Sequence, residues 1–339
     1  MRSLALPVGI AIGVAVLAGL TTTFEHPPAV IVQNGYRGTG LAEVYNPRQV
    51  KTELAANQVP AILPSMAGGP PASTVYKNVQ VLNNVSVGEF TRLMASITTW
   101  VAPQQGCGYC HEANNFASDK LYTKVVARRM LQMVQHINAN WKDHVGAVGV
   151  TCYTCHRGQP VPSFVWFKPD PPHADGMVEA FTGKNLPSQV AGGSALPYDP
   201  ITPFLVENDQ IRVQAHTALP GTDRSSIKQT EWTYALMMNF AQSLGVNCVY
   251  CHNSRAFENW SESTPQRVTA YHGIYMVRDL NDSYLGPLAS VFPADQHGPL
   301  GDGPKLYCAT CHQGVYKPLF GASMVATFPE LQSGAAAGH

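Results

Sequence analysis

Apolar residues recur along this chain at the three-to-four-residue spacing of amphipathic helices, in four separate stretches. The first, SVGEFTRLMASITTWVAP at 86–103, opens with Ser86 and Glu89 at capping-box spacing and is stopped by Pro103. The second, at 118–141, sets Leu121, Val125, Met130, Met133 and Ile137 near one face. The third, EWTYALMMNFAQSLG, ends at Gly245, a good C-cap. The fourth, at 263–282, offers Thr264 as cap and Pro265 as its first helical residue. Strand signals are sparse. Residues 23–80 read as extended, irregular chain, and 160–222 is rich in proline and glycine, a long connector. The pattern predicts a mainly α fold with extensive loops.

The N-terminus carries a different signal. Arg2 precedes a run without charge from Leu4 to Leu20, which reads as an uncleaved, signal-like transmembrane anchor helix over 1–22. The basic residue on the short side leaves the bulk of the chain outside the cytoplasm. Leu20 stands where a lipoprotein signal would place its cysteine, so no lipid anchor forms there.

Composition adds little until the cysteines are counted. The chain has 339 residues and zero formal net charge, which gives no reason to expect nucleic-acid binding. All eight cysteines fall in four C-x-x-C-H units: Cys107, Cys110 and His111; Cys152, Cys155 and His156; Cys248, Cys251 and His252; Cys308, Cys311 and His312. A zinc ribbon does not need a histidine fixed after each pair, a redox dithiol seldom comes fourfold, and a disulfide framework would scatter its cysteines. Covalent c-type haem needs this arrangement, with two thiols for the porphyrin vinyl groups and an adjacent imidazole for the iron. The motifs therefore predict four haem c groups, attached outside the cytoplasm, and leave no cysteine for disulfides.

The four units alternate. The first and third read Tyr-Cys-His with Phe five residues on; the second and fourth read Thr-Cys-His, then x-Gly, then Pro. MVQHIN at 133–138 answers MVRDLN at 276–281, an offset of 143, and Met94 and Met237 differ by the same 143. The simplest account is a duplicated two-haem module. It divides the chain into an anchor (1–22), an extended segment (23–80), a first dihaem module (81–165), a connector (166–222), a second dihaem module (223–325) and a flexible tail (326–339).

A second axial ligand remains to be found for each haem. Met94, Met130 or Met133, and Met237 or Met238 lie on the helices that precede the first three motifs, and spacing does not separate the members of each pair. The offset puts Gly273 where Met130 sits, and glycine cannot ligate. His272, Met276 and His144 are the candidates for the fourth.

Several strings are more specific than a haem motif. EFTRLM…WVAPQQGCGYCH, ALMM…SLGVNCVYCHN, STPQR and CHQGVYKPLFGAS resemble, in order and spacing, the tetrahaem cytochrome subunit of the photosynthetic reaction centre of purple bacteria. The resemblance covers nearly everything from residue 24. It implies Met/His ligation for three haems, as Met94 with His111, Met130 with His156 and Met237 with His252, and His/His ligation for the fourth, as His144 with His312. It also implies that Arg267 tunes the third haem, the one nearest the special pair, and that the fourth haem lies between the third and the second. The implied partners are the reaction-centre L, M and H subunits, the light-harvesting antenna, and a soluble c-type cytochrome or high-potential iron–sulfur protein as donor. The implied place is the periplasmic side of the photosynthetic membrane, and the role is that of an electron carrier, not an enzyme. Glu112 and Asp119 stand near the first haem as acidic residues that would face a basic donor. The other histidines, His26, His136, His173, His216, His272, His297 and His339, read as surface or structural.

Overall fold

The computed structural model describes residues 5–23, 28–33, 42–66, 68–171, 188–211, 213 and 227–332. The expectations for His26, His173, His216 and His339, for the middle of the connector and for 333–339 lie outside the described residues.

The chain is mainly helical, with long loops. Helix α1 spans Ala5–Thr23 and exposes Val8, Ile10, Ile12, Val14, Val16 and Leu17. Among the described residues, no helix is long and apolar enough to cross a membrane. The anchor read from the sequence is therefore met only as an apolar helix in the right place.

The segment read as irregular holds more structure than its composition suggested. Strands β1 (Val30–Gln33) and β2 (Ala42–Tyr45) pair antiparallel, Val30 opposite Tyr45. Helix α2 (Pro47–Ala56) starts under an Asn46 cap with proline in its first turn. A short α3 (Ala72–Val75) leads to α4 (Val87–Val101), capped by Ser86 as expected. Glu89 does not complete the capping box. Its carboxylate turns to Ser65, the Met66 N–H and the buried Arg92.

Helices α5 (Tyr122–Asn140) and α6 (Lys142–Val145) follow, then α8 (Ile227–Leu244) and α9 (Pro265–Leu280), with one-turn helices α7 (Cys152–His156) and α10 (Cys308–His312) at two of the motifs. Thr264, Pro265 and Gly245 delimit α8 and α9 as the sequence predicts.

Two cores hold these elements. The larger gathers Leu93 and Trp100 of α4, Met133 and Ile137 of α5, and Leu280 of α9 with Met324, Phe328 and Leu331. Trp100 meets Phe328 edge-on at 4.9 Å. The tail expected from 326 thus begins later, because Phe328 and Leu331 are fully buried. The second core joins Leu236 of α8 and Val277 of α9 to Trp166, Ile201, Phe204 and Leu205, so the described connector is packed chain and not a free linker.

Two asparagines make the same local device. Asn138, near the end of α5, bonds both the N–H and the C=O of Val150 and reaches Leu331 O; Asn281, just past α9, bonds both groups of Leu306 and reaches Leu205 O. Each clamp fixes the backbone two residues ahead of a Cys-x-x-Cys-His helix. Both amides are buried and satisfied, which makes the clamp costly to lose.

Candidate cofactor sites

Each of the four motifs is folded by its neighbours in sequence. The first and third form short 3-10 turns, Gly106–Tyr109 and Cys248–Tyr250, just after α4 and α8. The hydroxyls of Thr123 and Thr264 donate to the carbonyls of Tyr109 and Tyr250. In the second and fourth, the Thr that precedes the second cysteine caps the one-turn helix. Thr154 Oγ1 accepts from Thr151 N–H at 2.9 Å, and Thr310 Oγ1 accepts from Tyr307 N–H at 3.1 Å.

After these two histidines the chain turns through Arg157 and Gln313, both at φ 50°, into Gly158 and Gly314 at φ 80° and 82°. The glycine N–H groups then bond Trp100 O (2.8 Å) and Ser243 O (2.9 Å), residues of α4 and α8. The x-Gly step therefore ties each of these motifs to the helix that precedes its neighbour.

Every motif histidine is held the same way. The Nδ1 atoms of His111 and His252 lie 3.0 and 2.9 Å from the carbonyls of Phe116 and Phe257. Those of His156 and His312 lie 2.9 and 3.0 Å from the carbonyls of Gln159 and Val315. A carbonyl only accepts, so Nδ1 carries the proton and Nε2 keeps its lone pair. A hydrogen bond from Nδ1 of this kind fixes the ring orientation of an imidazole ligand. Burial lowers the pKa of His156 and His252, the latter also through the Arg267 charge; burial and then nearby His144 bring His312 down to about 4. These three imidazoles are neutral at neutral pH, as ligation requires.

His144, on α6, is the fifth such group. Its Nδ1 lies 2.9 Å from Thr269 O of α9, and its ring centre is 6.1 Å from that of His312. Two metal–nitrogen bonds of about 2 Å, plus about 1 Å from each nitrogen to its ring centre, span roughly 6 Å. The donor set fits a haem iron held between His144 and His312. Of the other candidates, Met276 packs against the large core, and His272, although near enough to His144 to lower its pKa, meets the Tyr271 ring edge-on.

The methionines separate by packing. Met94 and Met130 are half-buried at the edge of the large core, whereas Met133 is buried within it. Met237 borders the second core, while the Met238 methyl lies against Gly192.

Two findings revise the reading of the sequence. Cys155 and Cys311 are joined as a disulfide across 156 residues, their Cα atoms 4.2 Å apart, although the motif count left no cysteine for one. The cause is that α7 and α10 lie back to back. Arg157 reaches Cys311 O, and Gln313 reaches Cys155 O at 2.9 Å. Cys107, Cys110, Cys152, Cys248, Cys251 and Cys308 keep their thiols, and burial pushes Cys152 and Cys308 up to about 12. Secondly, the acidic pair near the first motif is occupied. Asp119 pairs with Arg128 at 2.9 Å and Lys124 at 3.3 Å, and Glu112 pairs with Lys120 at 3.5 Å.

Arg267 donates to Asn259 O, Glu258 O and Ser263 Oγ, and its guanidinium stacks 4.0 Å above Trp260. Among the described residues no carboxylate shares these bonds, although the Glu258 carboxylate lies near enough to act on the charge. Sequence reasoning missed the Thr269 carbonyl, a backbone atom 125 residues from its partner.

The model of the family described as photosynthetic reaction centre cytochrome C subunit matches residues 25–332. A photosynthetic reaction center cytochrome c subunit of Thermochromatium tepidum is 49% identical over 97% of this chain and 81% of its own. One of Rubrivivax gelatinosus is 50% identical over 94% of this chain and 88% of its own. One of Roseobacter denitrificans is 40% identical over 94% and 91%.

Proposed function

Because the chain belongs to the photosynthetic reaction centre cytochrome c subunits, we propose that it binds four haem c and relays electrons from a soluble periplasmic donor to the photo-oxidised bacteriochlorophyll pair of the L and M subunits. The donor class is a small c-type cytochrome or a high-potential iron–sulfur protein. The observation that carries this reading is the common bond at all four motifs, Nδ1 to a backbone carbonyl.

When bound, haem c supplies a one-electron couple and makes or breaks no substrate bond. The protein's part is attachment, ligation and tuning. All eight motif cysteines would supply thioether bonds, each thiol adding across a porphyrin vinyl group, with Cys155 and Cys311 first released from their disulfide by a dithiol reductant that is itself oxidised to a disulfide. His111, His156, His252 and His312 present Nε2 lone pairs. Met94, Met130 and Met237 supply thioethers as second ligands, which raise the potential, and His144 supplies a second imidazole, which lowers it. The Arg267 charge disfavours further positive charge at the third site and raises its potential.

The matched clamps of Asn138 and Asn281, and the matched bonds of Gly158 and Gly314, support two duplicated dihaem modules packed about a pseudo-twofold axis. The exposed apolar side chains of α1 support attachment to the photosynthetic membrane, with the haem modules on the periplasmic side alongside the L, M and H subunits and the antenna.

Flash excitation of membranes that contain this chain tests the assignment. A c-type α-band should bleach within microseconds to milliseconds as the special pair recovers. Recovery of the pair with no haem bleaching would sink it.

A further inference from the structure

Gly273 is buried in the middle of α9, a position where glycine is disfavoured relative to alanine. Its φ is not positive, so the backbone does not demand it. What demands it is the neighbour. A Cβ at 273 would stand 2.5 Å from His144 Cε1, 2.8 Å from Nδ1 and 3.1 Å from Nε2. The imidazole lies flat on bare helix backbone, with Thr269 O, one turn earlier in the same helix, taking its Nδ1 proton.

The repeat shows what was exchanged. Gly273 is the mate of Met130 at the offset of 143. The structure agrees with that register, because Asn138 and Asn281, which end the two matched strings, make the same backbone clamp. Where the first half projects a thioether from its helix, the second projects nothing, and a histidine of the first half fills the space.

We infer that Gly273 is the positioning residue that decides ligand choice at the fourth site: its missing side chain admits His144 and thereby makes this site bis-imidazole instead of Met/His. This rests on the proposed ligation of the fourth haem by His144 and His312. Thr269 supplies the orientation and Gly273 the room.

The test uses the full chain in its native membranes, read by electron paramagnetic resonance and redox titration. H144A should abolish one bis-imidazole signal, and added imidazole should restore it. G273M should remove that signal and raise the potential of one haem toward those of the thioether-ligated sites, with the other three unchanged. The double variant H144A/G273A has space for the new methyl group, so its fold is not under strain. It should bind added imidazole about tenfold more weakly, or worse, than H144A alone. Equal imidazole affinity in H144A and H144A/G273A, or an unchanged signal and potential in G273M, would overturn the role of Gly273. If H144A itself leaves every signal intact, the ligand assignment fails first, and this inference with it.

Discussion

His136 and Asp279 touch, Nε2 to Oδ2 at 2.6 Å, across 143 residues, the same offset that matches MVQHIN to MVRDLN. Their neighbours follow suit. Trp141 Nε1 donates to Asp279 at 2.9 Å, and the Tyr284 ring, which answers Trp141 in the repeat, lies 5.3 Å from the His136 ring. Under the proposed duplication these are contacts between equivalent positions, the pattern of an isologous interface. Cys155 and Cys311, which correspond by motif although 156 residues apart, also touch.

The His136–Asp279 contact sets a pH dependence. Burial alone pushes the Asp279 carboxyl up, but hydrogen bonds from His136, Trp141 and Ser283 outweigh it and hold the group below its ordinary range. A depressed folded pKa contributes stability that is complete above the unfolded value, about 3.9, and is lost as pH falls through the folded one. D279N should therefore cost about 1–2 kcal/mol at neutral pH. It should also flatten the loss of stability below pH ~4. Acid titration of the thermal midpoint, wild type against variant, checks both.

Cys155 and Cys311 can each form one further bond. Thioether attachment at the second and fourth motifs excludes the link between them. Mature protein digested without reductant should yield haem-bearing peptides from all four motifs and no peptide joining residues 155 and 311. Chain exported without haem attachment should yield the joined peptide. A joined peptide in mature material, with haem at two motifs only, would refute the four-haem assignment.

Arg267 has its charge near the third motif without a carboxylate among its hydrogen-bond partners. R267Q should lower the potential of one haem by on the order of 60 mV, a tenfold change in a one-electron equilibrium. R267K should retain most of it, since the charge stays. Redox titration of both variants decides between charge and packing.

Phe328 is fully buried between Trp100 and the Arg92 guanidinium, which lies 4.0 Å from its ring centre. F328A should cost about 3–5 kcal/mol. Calorimetry of the holoprotein measures it, and a loss under ~1 kcal/mol would mean that this end of the chain is not part of the core.

Local chemistry made much of this legible in the sequence. Ser86, Thr264, Pro265 and Gly245 mark helix ends because caps act within a few residues. The motif cysteines and histidines were plain for the same reason. What escaped depends on residues far apart. Nothing near His144 says that Thr269 will orient it, and nothing near Asp119 says that Arg128 will occupy it. Spacing left Met130 and Met133 equal, and only packing put Met133 inside the core. Ile201, Phe204 and Leu205 were hidden by the prolines around them, which mark turns but do not forbid burial. Asn46 and Pro47 carried a readable start signal for α2 in a stretch taken as irregular.

The placement of Phe328 and Leu331 has a consequence for how the molecule comes into being. They complete a core whose other walls are α4 and α5. Synthesis delivers those walls well before Phe328 and Leu331, with Asn138 and its partner Leu331 193 residues apart, so the core around α4 and α5 stays open until those residues emerge. Through that interval the thiols of the early motifs remain within reach of whatever loads them, and the final closure seals the cargo in.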